Sequence, residues 1–285
     1  MALKLLLPKG RIFLRVDELL RDCGIRLSRP DRVYRPVVSD DRLLAKIMKA
    51  QNIPTLVEMG SHDLGITGHD WVQETGADVV ELLDLGFDPV RIVAAAPAGV
   101  SLSEMLAKDG VRVTTEYEQS TRRWLDGKGA SYRLIRSWGA TEVFPPEDAD
   151  LIVDNTATGT TLRENGLEIL DTLMRSTTRV IANRAALEDP VKRQVIDELL
   201  LLMNAVLDAR RRVMLEMNIS GDRLDALITR LPAMKSPTVA KLYGSDDDYA
   251  VKVAVPRDEV ARLIPQLRTL GATDILETEL RKVIL

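Results

Sequence analysis

The run from residue 150 to residue 170, Asp-Leu-Ile-Val-Asp-Asn-Thr-Ala-Thr-Gly-Thr-Thr-Leu-Arg-Glu-Asn-Gly-Leu-Glu-Ile-Leu, leaves few folds open. Leu151, Ile152 and Val153 form a short apolar segment bounded by carboxylates, the pattern of a buried strand whose carboxyl end presents Asp154. A hydroxyl-rich turn follows, with Thr156, Thr158, Thr160 and Thr161 around Gly159, and the spacing of Leu162, Leu167 and Leu170 predicts a helix close behind it. Backbone N–H groups at a helix start are unpaired and partly positive, so such a turn can seat a phosphate without a lysine. Gly159 lets the backbone approach the anion. Asp154, at the mouth of the turn, needs donors other than the phosphate, and the hydroxyls of a sugar phosphate would supply them. Strand, acid and Thr-Gly-Thr-Thr therefore predict a phosphoribosyl site. The plainer alternative is that Thr160 or Thr161 caps a helix after an ordinary turn.

A chain of 285 residues can hold two or three domains with real cores, and 45% apolar with 29% charged residues is ordinary globular composition. The net charge of −4 argues against nucleic acid as a partner, so phosphates must be met locally. The single cysteine, Cys23, excludes an internal disulfide framework, fits a cytoplasmic setting and reads as core between Leu20 and Ile25. No apolar run approaches the ~18 residues of a membrane span, and no signal-peptide pattern is seen. His62 and His69 are the only histidines and have no cysteine near them, so a histidine triad or zinc site is not expected.

In order, residues 3–7 read as a buried strand, 8–11 as a turn, and Phe13, Val16, Leu19, Leu20 and Cys23 as the inner face of a helix ending at Gly24. Lys9 and Arg11 stand at the strand's carboxyl end, where open α/β sheets bind ligands, unless they are only a solvated basic turn. After a variable Arg/Pro-rich segment, Leu43, Leu44, Ile47 and Met48 predict a helix, and residues 53–60 a second one with proline near its start. Residues 63–70 repeat the strand-turn-helix pattern; Asp70 either caps the next helix or faces the substrate cleft, and His69 is expected to be exposed. Strands follow at 79–83, 90–96, 111–115 and 132–137, with a helix around 121–125 and a turn into a helix after 138. Residues 177–182 return the chain to the first lobe, ahead of a helix over 190–210. Two α/β lobes joined by two crossings make a hinged cleft that can exclude water. The last 70 residues read as βαββαβ, a ferredoxin-like unit, with Pro265 inside its second helix and a final strand over 274–284.

Six segments in order resemble the ATP phosphoribosyltransferase family in its long form: Leu-Pro-Lys-Gly-Arg at 7–11, Asp-Leu-Gly-Ile-Thr-Gly at 63–68, Glu-Leu-Leu-Asp-Leu-Gly-Phe at 81–87, Ser-Trp-Gly-Ala-Thr-Glu at 137–142, the 154–162 loop, and Ser-Pro-Thr at 236–238. The resemblance covers essentially the whole chain. It implies a two-lobed core like that of periplasmic binding proteins: lobe I from 1–91 with 182–211, lobe II from 92–181, and an ACT-like regulatory domain over 212–285. It implies transfer of phosphoribosyl from phosphoribosyl pyrophosphate (PRPP) to adenine N1 of ATP, with loss of pyrophosphate and with Mg2+ on the leaving group. Carried onto this sequence, Asp154 binds the ribose hydroxyls and Ala157, Thr158, Gly159, Thr160 and Thr161 hold the 5′-phosphate. Lys9 and Arg11 serve the polyphosphates, and Asp70 and Glu142 line the nucleotide side. L-histidine as feedback inhibitor, a dimer or hexamer of identical chains, and effector contacts from Asn218, Ser236, Thr238 and Asp274 are implied as well; direct metal ligands are not. Two alternatives compete: a solute receptor, against which the threonine loop speaks, and a metabolite sensor, which leaves Asp154 without a use.

Overall fold

The computed structural model describes residues 2–28 and 33–284. The Arg/Pro-rich segment expected before residue 43 lies partly outside them, at 29–32. The chain divides into two compact units, Met1–Glu18 with Ile25–Ile196 and Leu19–Gly24 with Asp197–Leu285.

The first elements are β1 (Leu3–Pro8), α1 (Arg11–Asp22), β2 (Leu27–Ser28), β3 (Val37–Val38), β4 (Leu43–Met48), α2 (Ile53–Glu58), β5 (Leu64–Gly68), α3 (His69–Thr75) and β6 (Val80–Asp84). The chain then crosses to β7 (Val90–Pro97), α4 (Leu102–Leu106), β8 (Val111–Thr115), α5 (Glu118–Gly127), β9 (Tyr132–Arg136), β10 (Leu151–Thr156), α6 (Thr160–Glu164) and β11 (Leu167–Ser176). It returns through β12 (Thr178–Ala182) and α7 (Arg184–Glu188) to α8 (Pro190–Arg210).

These strands form two five-stranded sheets of the same topology, β4-β1-β5-β12-β6 and β9-β8-β10-β7-β11. In each, three strands are parallel and the fourth runs antiparallel: β12 against β5, and β7 against β10. The centre of each sheet is buried on both faces. Leu5, Leu6 and Leu7 in β1 and Leu151, Ile152 and Val153 in β10 are at most 2% exposed, as their unbroken apolar runs require.

The second unit contains β13 (Arg212–Ser220), α9 (Gly221–Arg230), β14 (Thr238–Lys241), β15 (Asp248–Pro256), α10 (Val260–Thr269) and β16 (Thr273–Glu279). Its sheet runs β14-β15-β13-β16 with antiparallel pairing, the ferredoxin-like order. Alternation along β13 puts Val213, Leu215, Met217 and Ile219 into a core with Leu227 and Leu267 from the helices. Pro265 lies inside α10, which continues through it.

Three expectations are corrected. Residues 43–48 form a strand, not a helix: Leu43, Ala45 and Ile47 point into the core while Leu44 is 57% exposed, so period two wins over the helical spacing of Leu43, Leu44, Ile47 and Met48. The helix behind Gly159 is five residues long, and Leu167 and Leu170 belong to β11, whose alternation is hidden by two register shifts against β7. The last strand ends at Glu279 rather than near 284. The turn after Trp138 leads into a single 3-10 turn, Thr141–Val143.

Candidate active site

β5 and β10 occupy the same place in the two sheets, and each delivers an aspartate near its carboxyl end. Asp154, on β10, is half-buried. It accepts hydrogen bonds from the Asn155 backbone N–H at 2.6 Å and from Asn155 Nδ2 at 3.1 Å. Burial pushes its carboxyl up from the usual carboxylate range to about 6; the Asn155 N–H and the Thr141 hydroxyl pull it back, and Glu116 and Glu142 push it up further. Glu142 thus stands within electrostatic reach of Asp154, on the single turn after Ala140.

The threonine turn is a compact loop held by its own hydroxyls. Gly159 has φ +77°, and its N–H donates to Thr156 Oγ1 at 2.9 Å. The Thr158 and Thr160 hydroxyls lie 2.9 Å apart. Ala157, Thr158, Thr160 and Thr161 are exposed. Because α6 is so short, its dipole is a weak anion attractor. Full positive charge comes instead from Arg163, which folds back to donate through Nη2 to Thr160 Oγ1 at 3.2 Å. Arg163 is not among the residues singled out from the sequence; its position one turn after Gly159 was the available signal.

Asp70 is built differently. Its carboxylate is 5% exposed. Oδ1 accepts from Ser176 Oγ at 2.6 Å and Oδ2 from Tyr117 OH at 2.8 Å, while the Asp70 N–H donates to the same Ser176 Oγ at 3.0 Å. Tyr117 stacks on Trp71, with ring centroids 4.6 Å apart, and burial, with Asp70 beside it, pushes its phenol well above its usual range. One turn on, Glu74 accepts from the Gln119 and Ser120 backbone N–H groups at 2.8 and 2.9 Å, capping the start of α5. Asp70 does not cap α3; it ties the α3 start to Tyr117 and Ser176 and stands in the wall of the cavity described below. The sequence offered no sign of Tyr117 or Ser176, which lie 47 and 106 residues away.

A cavity of about 400 Å3 lies along these elements, lined by Lys9, Arg11, Lys49, Asp70, Trp71, Asp88, Glu116 and Asn155 among others. Lys9 and Arg11 are exposed, and Arg11 Nε pairs with Asp88 Oδ1 at 3.0 Å. Asn155, next to Asp154, joins this cavity to the threonine turn. His69 is not the exposed group expected: its Nδ1 lies 2.9 Å from Glu81 Oε1, and Glu81 in turn pairs with Arg179 at 3.4 Å. Cys23 is buried, and burial raises its thiol to about 11, so it stays protonated and unreactive at neutral pH. Among the described residues no group of three or more His, Cys, Asp or Glu side chains is placed to hold a metal ion, and no helix is long and apolar enough to cross a membrane.

In the second unit, two of the four effector candidates meet: Asn218 Nδ2 donates to Asp274 Oδ2 at 2.9 Å, and Asp274 has φ +50°. Thr238 is exposed on β14, opposite Lys252 of β15, and Ser236 is exposed just before that strand. The pairs β14-β15 and β15-β13 separate them from Asn218.

Comparison with known proteins agrees with this architecture. The family model "HisG: ATP phosphoribosyltransferase" matches residues 49–205, and "HisG, C-terminal domain" matches residues 209–282. The chain is 39% identical over 288 residues to an ATP phosphoribosyltransferase of Chlorobium phaeovibrioides, covering 99% of this chain and 98% of that one. It is 42% identical to one of Desulforudis audaxviator, with both chains covered in full. Among solved structures it is similar to an ATP phosphoribosyl transferase (HisG:HisZ) complex from Thermotoga maritima, with TM-score 0.63 and 28% identity over 70% of this chain and 98% of that one. With both models matched and relatives aligned end to end, the chain belongs to the ATP phosphoribosyltransferase family, in the long form that carries the C-terminal domain.

Proposed function

We infer that the chain catalyses the family reaction, the first step of histidine biosynthesis: ATP and PRPP condense to N1-(5-phosphoribosyl)-ATP and pyrophosphate. The observation that carries the site assignment is Asp154, a half-buried carboxylate raised to about 6 at the lip of a threonine turn. Donors that would make its charge comfortable are few in the free protein, and the ribose 2′- and 3′-hydroxyls supply them. Ala157, Thr158, Gly159, Thr160 and Thr161, with Arg163, hold the 5′-phosphate. Lys9 and Arg11 meet polyphosphate oxygens, Glu142 stands on the nucleotide side, and Asp70 keeps the wall between them in place.

Bond breaking at the anomeric carbon runs ahead of bond formation, so the developing charge is oxocarbenium-like and the adenine nitrogen needs positioning more than activation. The wall fixed by Asp70, Tyr117 and Trp71 does that positioning, and closure of the two lobes excludes water that would otherwise capture the ribosyl cation. Glu116 and Glu142 both raise the Asp154 carboxyl, and in this reading Mg2+ arrives on the pyrophosphate and keeps most of its coordination to phosphate and water. When bound, the ion neutralises the leaving group.

Lobe I (1–91 with 182–211) and lobe II (92–181) are the catalytic core in this reading, and 212–285 is the regulatory domain. L-histidine binds there through Asn218, Asp274, Ser236 and Thr238 and lowers turnover, in a dimer or hexamer of identical chains. The test is the absorbance of phosphoribosyl-ATP during incubation with ATP, PRPP and Mg2+, with and without L-histidine. Product that falls with added histidine supports both readings; product indifferent to histidine removes the effector site; no product, with pyrophosphatase present, contradicts the enzyme.

A further inference from the structure

Asp88 lies between β6 and β7, where the chain first crosses from one sheet to the other, and its φ is +45°. Its side chain is 8% exposed, with Oδ1 held by Arg11 Nε at 3.0 Å and Arg15 Nε at 3.9 Å. Oδ2 is buried and has no hydrogen-bond partner among the described residues. The residue also lines the 400 Å3 cavity, beside Lys9, Arg11, Lys49 and Thr177. A buried carboxylate oxygen without a donor is costly to the fold, and a left-handed aspartate adds strain. Both costs fall on one residue in a cavity wall, where a ligand could relieve the first.

We infer that Asp88 is a further ligand-binding residue: its carboxylate sets Arg11 at the cavity mouth, and a turn about Cβ–Cγ brings the unpartnered oxygen to the cavity face, where it accepts a hydrogen bond from a donor of the nucleotide, the ribose 2′-hydroxyl or the purine amine. The inference rests on reading this cavity as the nucleotide site. The class of donor follows from charge. A phosphate brought to Oδ2 meets a like charge, whereas Lys9, Lys49 and Arg11 attract it, so the part of the ligand that reaches Asp88 is neutral and carries O–H or N–H. The shortest contact of the ion pair is through Nε, and the Arg11 side chain is 73% exposed, which leaves its guanidinium open to a phosphate.

The test compares calorimetric binding of ATP, 2′-deoxy-ATP and inosine triphosphate to the full chain and its Asp88→Gly and Asp88→Asn variants, at fixed excess Mg2+. Glycine accepts the positive φ and removes the carboxylate; asparagine tolerates the same backbone and keeps one acceptor. The unsubstituted protein should bind one analogue at least roughly tenfold more weakly than ATP, the deoxy analogue if the donor is the ribose and inosine triphosphate if it is the amine. Asp88→Gly should lose roughly that factor on ATP and bind ATP and that analogue alike, with Asp88→Asn between the two. Arg11→Ala should weaken all three nucleotides by one common factor. Equal losses on all three in Asp88→Gly, or no loss on ATP, would overturn the inference. If Asp88→Gly does not fold, the same comparison in Asp88→Asn decides. A protein that binds none of the three without substitution contradicts the nucleotide reading itself, and the inference falls with it.

Discussion

The junctions β5–α3 and β10–α6 are topological equivalents, yet they use their aspartates in opposite ways. Asp70 has a donor on each oxygen, Ser176 and Tyr117, and is 5% exposed. Asp154 is half-buried, faces Glu116 and Glu142, and takes its hydrogen bonds from its own neighbour Asn155 and the Thr141 hydroxyl, too few to offset its burial. A buried charge that is fully hydrogen-bonded belongs to the frame, and removing it leaves partners stranded. One that is buried and short of donors is held at a cost and gives that cost back when a ligand supplies them. In the function proposed above, two copies of one topology thus divide the labour, one junction fixing the wall and the other binding.

The largest expected effect that sharpens this contrast is on turnover. Asp154→Ala should lower kcat/KM for PRPP by roughly 10²–10³-fold while the protein stays folded, as steady-state kinetics and circular dichroism would record. Asp70→Ala should act on the fold first, costing about 3 kcal/mol in denaturant unfolding because Tyr117 and Ser176 lose a buried charged partner. If Asp70→Ala were as stable as the parent but inactive, the two junctions would be alike and the division of labour would fail. Tyr117→Phe removes one hydrogen bond of that network and should cost about 1–2 kcal/mol by the same measurement. Gly159→Ala is smaller still. Its φ of +77° strains any side chain, and the new Cβ would touch Ile169 Cδ1 at 3.4 Å, so a loss of about 1 kcal/mol and a raised KM for PRPP are expected.

Much of this was legible in the sequence. Leu151 to Val153 announced a buried strand because nothing else accommodates an unbroken apolar run between carboxylates, and the βαββαβ order of the second unit followed from alternation in β13 and β15. What stayed hidden has a physical reason in each case. The edge strand β4 carries apolar residues on both faces, so its pattern mimics a helix. The bulges in β11 break its alternation at Ile169/Asp171 and Thr172/Met174. The tie from Asp70 to Tyr117 and Ser176 stayed hidden because the fold brings those partners in from beyond local sequence. Asp88 gave no signal at all: its importance lies in an absent partner, which only the packed structure reveals.

The most direct test is the difference in thermal stability between Asp154→Asn and the parent, measured from pH 4 to pH 8 without ligands. A carboxyl raised to about 6 in the folded state, against about 4 unfolded, favours folding when protonated, so ionising it costs stability as pH rises through that window. The account predicts equal stabilities near pH 4 and a variant more stable by about 1–3 kcal/mol above pH 7, with added PRPP stabilising only the parent strongly. A variant less stable than the parent at pH 7 would mean that Asp154 is part of the frame, as Asp70 is, and would contradict the reserved carboxylate on which the site assignment rests.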